Sequence, residues 1–110
     1  MKSSYLNDKL RTAISNCEII ESDKKHSTKL RISSIDSHDP TCISLHLSDL
    51  SKSSEPKIIY PWFYEPTIHY SDCTIQIMSY YDNHHLDIYV YSPDSKKREE
   101  AIEKFKELFK

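Results

Sequence analysis

Not one of the 110 residues is glycine, where an average chain gives about 7% of its positions to it. Glycine is the residue that takes positive φ without steric cost, so tight turns here must be made by Asn, Asp, Ser and Pro. The same absence removes Gly-rich phosphate loops, Walker motifs and nucleophile elbows, each of which needs a backbone position without Cβ. That argues against nucleotide-binding folds of the common kinds.

A chain of this length has room for one hydrophobic core, and residues 1–110 are expected to form a single α+β domain. Hydrophobic residues make up 37% and charged residues 29%, so little apolar surface is left over once a core is filled. No stretch approaches the roughly 20 apolar residues of a membrane span. The opening Met1-Lys2-Ser3-Ser4-Tyr5-Leu6 has no apolar run of a secretory signal, and a cytoplasmic location is expected. Cys17, Cys42 and Cys73 are odd in number and widely spaced, with no CxxC or Cys/His pattern of a zinc site. They are expected to be reduced, buried and structural, and neither a metal nor a cofactor is implied.

Leu6, Leu10, Ala13, Ile14 and Cys17 follow one helical face, which predicts a helix from about Ser4 to Ser15. Ser3 or Ser4 would cap it, and Asn16 would stop it in the left-handed conformation. The short run Glu18-Ile19-Ile20-Glu21 precedes a polar turn from Ser22 to Ser27. Thr28, Leu30 and Ile32 then alternate with Lys29, Arg31 and Ser33, the pattern of a half-buried strand. After the loop Asp36-Ser37-His38-Asp39-Pro40, a second strand is expected with Ile43, Leu45 and Leu47 inward and Ser44 and His46 outward. Ser48 to Pro56 is loop by composition. Lys57 to Tyr60 is a short strand stopped by Pro61, and Trp62-Phe63-Tyr64-Glu65 between two prolines is irregular.

The clearest hairpin lies between Tyr70 and Tyr91. Cys73, Ile75 and Ile77 alternate with Thr74, Gln76 and Met78, and Leu86, Ile88 and Val90 alternate with Asp87, Tyr89 and Tyr91. Between them Asp82-Asn83-His84 turns, with Asn83 suited to positive φ. Ser92-Pro93-Asp94-Ser95 starts a final helix, on which Ala101, Ile102, Phe105, Leu108 and Phe109 form one stripe. The expected fold is α+β: an N-terminal helix, a mostly antiparallel sheet of four to six strands, and a C-terminal amphipathic helix packed on that sheet.

The net charge of −2 hides an uneven distribution. Residues 1–32 carry seven Lys/Arg against four acids, and residues 93–110 carry six against five. Residues 33–92 carry only Lys52 and Lys57 against eight acids. Nucleic-acid affinity rests on Lys and Arg neutralising phosphates. An acidic middle region that also holds the aromatics therefore argues against nucleic acid and for a cationic protein partner. Tyr60, Trp62, Phe63, Tyr64 and Tyr70 fall close together, and Tyr80, Tyr81, Tyr89 and Tyr91 flank the hairpin. Tyr80, Tyr89 and Tyr91 share the outer strand phase with Met78, a stripe that suits partner binding if no helix covers it.

These features rank a partner-binding protein ahead of an enzyme, and both ahead of a nucleic-acid binder. The leading expectation is a small cytoplasmic inhibitor, most concretely an immunity protein neutralising a basic, nuclease-type toxin. Glu65, Asp72, Asp82 and Asp87 would meet the partner's cationic groups, while Trp62, Tyr64, Tyr80, Tyr89 and Tyr91 would supply anchors. The chain would be a monomer or a weak homodimer through an exposed strand edge. The alternative is a small metal- or His-dependent hydrolase or nuclease. His38 and Asp39 in one loop and His84 and His85 in another would serve it, should the two loops meet. No serine or cysteine stands in a nucleophile motif.

Overall fold

In the computed structural model, which describes residues 5–23, 25–52, 57–59, 66–70, 72–80 and 84–110, the chain opens with helix α1 (Asp8–Ser15). The hairpin β1 (Glu18–Ser22) and β2 (Ser27–Ile32) follows, then helix α2 (Asp39–Leu50). Four strands come next: β3 (Lys57–Ile59), β4 (Thr67–Tyr70), β5 (Cys73–Tyr80) and β6 (His85–Tyr91). Helix α3 (Ser95–Glu107) ends the chain. The strands form one sheet in the order β1-β2-β6-β5-β4-β3, and every neighbouring pair is antiparallel. The expected α+β class and the docked C-terminal helix are therefore correct. No described helix is long and apolar enough to cross a membrane.

Topology follows from pairing. The β1–β2 hairpin forms locally, α2 carries the chain to the far edge, and β3 to β6 return as a meander whose last strand docks on β2. Strand alternation decides which face is dry. Thr28, Leu30 and Ile32 of β2, Leu86, Ile88 and Val90 of β6, and Cys73, Ile75 and Ile77 of β5 are all buried. All of these but Thr28 form one apolar cluster with Leu10 and Ile14 of α1, Ile43 and Leu47 of α2, and Ala101 and Phe105 of α3. The helices thus share one side of the sheet. Each fully buried Leu, Ile or Phe there contributes about 1.5–3 kcal/mol.

The helix ends show why each element stops where it does. Asn7, not Ser3 or Ser4, caps α1, its side chain accepting from the Leu10 N–H at 2.8 Å. Asn16 closes α1 at φ −96° rather than in the left-handed region. It donates its N–H back to Thr12, so the helix ends by winding down and needs no inversion. Asp94, within the expected start Ser92–Ser95, caps α3 by accepting from the N–H groups of Lys96 and Lys97, and Pro93 precedes the helix. The left-handed positions that glycine would normally fill fall instead to Ser34 (φ 61°) and His84 (φ 53°). Asn83 lies outside the described residues.

Two segments depart from expectation. Residues 43–47 are helix, not strand. Ile43, Leu45 and Leu47 satisfy a period of two, but Ile43, His46, Leu47 and Leu50 satisfy 3.6, and Pro40 falls in the first helical turn, where no N–H is needed. His46, expected to face water, is consequently buried against Phe109 with ring centroids 5.1 Å apart. Thr67–Tyr70, which carries only Ile68 as a clear inward residue, is strand β4. It gains its order from pairing on both sides with β3 and β5.

One charged side chain is built into the core. Arg98 of α3 is 1% exposed. Its guanidinium donates to Thr28 Oγ1 at 3.0 Å, to the Ser92 carbonyl and to the Asp23 carbonyl. That fork ties the start of β2, the β1–β2 turn and the segment entering α3 to one point.

Candidate functional site

The opposite sheet face carries no described helix. Register fixes its composition. Arg31 of β2 lies across from Asp87 of β6, and Asp87 in turn from Met78 of β5. Lys29 lies across from Tyr89, and Tyr89 from Gln76; the next row outward pairs Tyr91 with Thr74. The outer-phase assignment of Tyr89, Tyr91 and Met78 made from alternation is correct, as is that of Lys29 and Arg31.

Asp87 is the organising group of this face. It is 2% exposed although no described helix covers it, because longer side chains close over it. Arg31 grips it with a fork, Nε to Oδ1 at 2.8 Å and Nη2 to Oδ2 at 3.2 Å. Lys29 Nζ stands 3.4 Å from Oδ2 and His85 Nε2 3.7 Å from Oδ1. Burial pushes the Asp87 carboxyl upward, but the hydrogen bonds and positive charge of Arg31, with Lys29, outweigh it and hold the group below the usual carboxylate range. Beside this cluster Tyr89 and Tyr91 stack with centroids 6.0 Å apart and planes 11° from parallel, and Lys29 Nζ sits 5.4 Å from the Tyr89 ring centre. Tyr91 is 39% exposed, and its hydroxyl donates to Gln76 Oε1 at 3.5 Å.

Of the residues singled out in the sequence, Tyr89, Tyr91 and Asp87 share this face. Tyr80 ends β5 opposite His85. Asp72 lies elsewhere, at the β4–β5 turn. It lines a shallow hollow with Tyr91, and Lys97 salt-bridges it at 2.6 Å and lowers its pKa. Trp62, Tyr64, Glu65 and Asp82, with the side chain of Tyr80, lie outside the described residues. Neither described acid is a free steering charge: one is closed over within the face and the other is held by α3. Lys29, Arg31 and Gln76 were not singled out, because their importance depends on which strands are neighbours.

Catalytic chemistry finds thinner support. Burial pushes the thiols of Cys17, Cys42 and Cys73 up, so thiolate is scarce at neutral pH. The chain just before the first His/Asp loop touches the second at one end of the sheet, where the Ile35 N–H donates to the His84 carbonyl at 3.2 Å. Within that end, ligating atoms of Asp36, His38 and Asp39 lie within 4.8 Å of one another. Asp39 Oδ2 already accepts the Asp36 N–H at 2.7 Å, and the group sits at the positive end of α2, which disfavours a cation.

His46 predicts a pH response that is independent of any partner. A ring nitrogen, Nε2, meets the Leu108 carbonyl and must donate to it, while Nδ1 is buried with no hydrogen-bond partner among the described residues. Protonating Nδ1 would bury an unpaired N–H, and burial accordingly lowers the His46 pKa below its ordinary 6.5. The unfolded chain then binds the proton more readily than the folded one. The His46 contribution is complete above pH 6.5 and is lost as pH falls below it toward the depressed folded value. Thermal melts between pH 7.5 and 5.5 should show falling Tm, with a flatter slope in His46→Leu.

No family model, curated protein or solved structure matches this chain.

Proposed function

We propose that this chain binds another protein through the open sheet face and inhibits it, most concretely as an immunity protein neutralising a basic, nuclease-type toxin. The observation that carries this reading is the half-exposed, mutually stacked Tyr89–Tyr91 pair on a face that no described helix covers. Two rigid aromatic side chains with polar tips offer large contact area at low entropic cost. The neighbouring Asp87–Arg31–Lys29 cluster fixes their strand, and Glu18 and Glu21 opposite Arg31 and Lys29 more than offset its one surplus positive charge, so the face offers phosphate no net cation. Lys29 and Arg31 would otherwise recommend single-stranded nucleic acid, whose bases stack on aromatic residues between basic groups.

Affinity co-purification from the native source tests this, with Tyr89→Ala/Tyr91→Ala as the paired variant. A stoichiometric basic protein is expected, held about tenfold or more weakly by the variant and toxic when expressed without this chain. Capture of nucleic acid in its place, or a partner indifferent to both tyrosines, would replace the reading. The clustering of Asp36, His38 and Asp39 is the observation behind the second reading, a metal- or His-dependent hydrolase, and the positive end of α2 and the bond from the Asp36 N–H to Asp39 weigh against it. Stoichiometric metal in untagged protein, lost on His38→Ala, would move the weight there.

A further inference from the structure

Strand β1 forms one edge of the sheet, and every one of its side chains is exposed. Ile19 and Ile20 are 57% and 37% exposed, on a strand whose outer row of backbone N–H and C=O groups has no described neighbour. A bulge interrupts its register between Ile19 and Glu21. Its effect on side-chain direction is specific. Glu18 and Glu21 are three apart, so a regular strand would send them to opposite faces. With the bulge at Ile20, Glu18 pairs with Arg31 and Glu21 with Lys29, both on the open face, while Ser22 turns to Thr28 on the helix side at 3.1 Å. The sign of charge then alternates strand by strand across the open face. Asp87 stands on β6, Lys29 and Arg31 on β2, and Glu18 and Glu21 on β1. Lys29 and Arg31 are committed to Asp87, and among the described residues no ion pair holds either glutamate.

We infer that the β1 edge accepts an extended basic segment of a partner protein as a seventh strand, its Lys or Arg side chains facing Glu18 and Glu21. Main-chain hydrogen bonds would supply affinity and the two glutamates the choice of sequence, the logic of strand addition. A second copy of this chain fits less well. Antiparallel self-pairing would bring the glutamates of both edges onto one face of one seam, where like charges destabilise. The bulge and the two acids therefore close the edge to the chain itself and leave it open to a basic strand. The inference rests on the protein-binding reading and names where and by what chemistry that binding is extended.

The test uses the full chain and two labelled octapeptides, one alternating lysine with valine and one alternating glutamate with valine. Fluorescence anisotropy measures affinity, and backbone amide shifts locate the contact. The lysine peptide should bind about tenfold more tightly than the glutamate peptide and shift the amides of residues 18–22, and Glu18→Lys/Glu21→Lys should reverse the preference. Glu100→Lys/Glu107→Lys changes net charge equally on exposed positions of α3 and should alter affinity less than about twofold if attraction is local. Equal affinity for both peptides, shifts elsewhere than β1, an equal effect of the α3 control, or self-association through β1 would each overturn the inference. A partner captured through Tyr89 and Tyr91 yet unaffected by Glu18→Lys/Glu21→Lys would overturn it alone, with the proposed function standing.

Discussion

Replacing Arg98 by methionine should cost about 3 kcal/mol of unfolding free energy, read as a fall in urea midpoint at unchanged m-value. Methionine approximates the apolar stem, so the change isolates the guanidinium. What it removes is three charge-assisted bonds, each worth roughly 1.5–3 kcal/mol, to Thr28, Ser92 and Asp23. Against them stands the desolvation of a cation that no described carboxylate pairs, whose relief offsets part of the loss. The sum remains a loss because the carbonyl of the buried Ser92 would lose the Arg98 donor and the buried Thr28 would keep only the Ser22 hydroxyl. Arg98→Lys should recover less than half, since an ammonium is a point donor and cannot span three acceptors in a fixed fork. A native-like midpoint in Arg98→Met would mean that desolvation cancels the bonds. Against the 5–15 kcal/mol typical of a domain, a loss of about 3 kcal/mol is large.

How much of this was legible follows a physical line. Alternation is local, so the inward set of β2, β5 and β6 could be assigned from the sequence, and with it the outer phase of Tyr89, Tyr91, Lys29 and Arg31. The 3.6 spacing of α3 and its Asp94 start were equally visible. The segment 39–50 was ambiguous because its Ile and Leu residues satisfy both periods. Pro40 and the acidic Asp39 in the first turn were the available signals, and a strand reading overrode them. Strand β4 was too short for any period to register, and only its two neighbours make it a strand.

The site was less legible than the fold, since it depends on strand order. Asp87 stood in the sequence as one acid in an acidic region, and nothing local said that β2 would bring Arg31 and Lys29 against it across more than fifty residues. The bulge that turns Glu18 and Glu21 to one face is likewise a property of the β1–β2 pair, invisible in either strand alone. Charge counted along the chain gave the right total and the wrong neighbours. Arg98, placed on sequence among the charged residues of an amphipathic helix, is buried for the same reason: its partners come from two other parts of the chain.

Asp87→Ala should destabilise by about 2–3 kcal/mol at pH 7, and this bears directly on how binding experiments are interpreted. The lower end of the range for breaking a buried pair applies because the Arg31 and Lys29 side chains are 36% and 19% exposed, so water can reach what Asp87 abandons. The pH dependence has a definite sign. The folded carboxyl lies below its ordinary 3.8, so its stabilisation is complete above that value and is lost as pH falls through the depressed folded value. This acid limb is separate from that of His46, which begins at pH 6.5; Asp87→Ala should flatten the lower limb, to which Asp23 and Asp72 also contribute, and leave the His46 limb unchanged. The double variant Arg31→Met/Asp87→Leu should recover part of the loss, because it removes the guanidinium that Asp87→Ala strands and leaves only Lys29 without its carboxylate. Asp87→Lys would set three cations together at the centre of the face and is expected to unfold it. A partner lost by that variant would therefore report a lost surface rather than a lost steering charge. Tyr89 and Tyr91 variants, and the Glu18/Glu21 pair at the edge, are the substitutions whose binding defects can be taken at face value, provided their urea midpoints stay within about 1 kcal/mol of the parent chain.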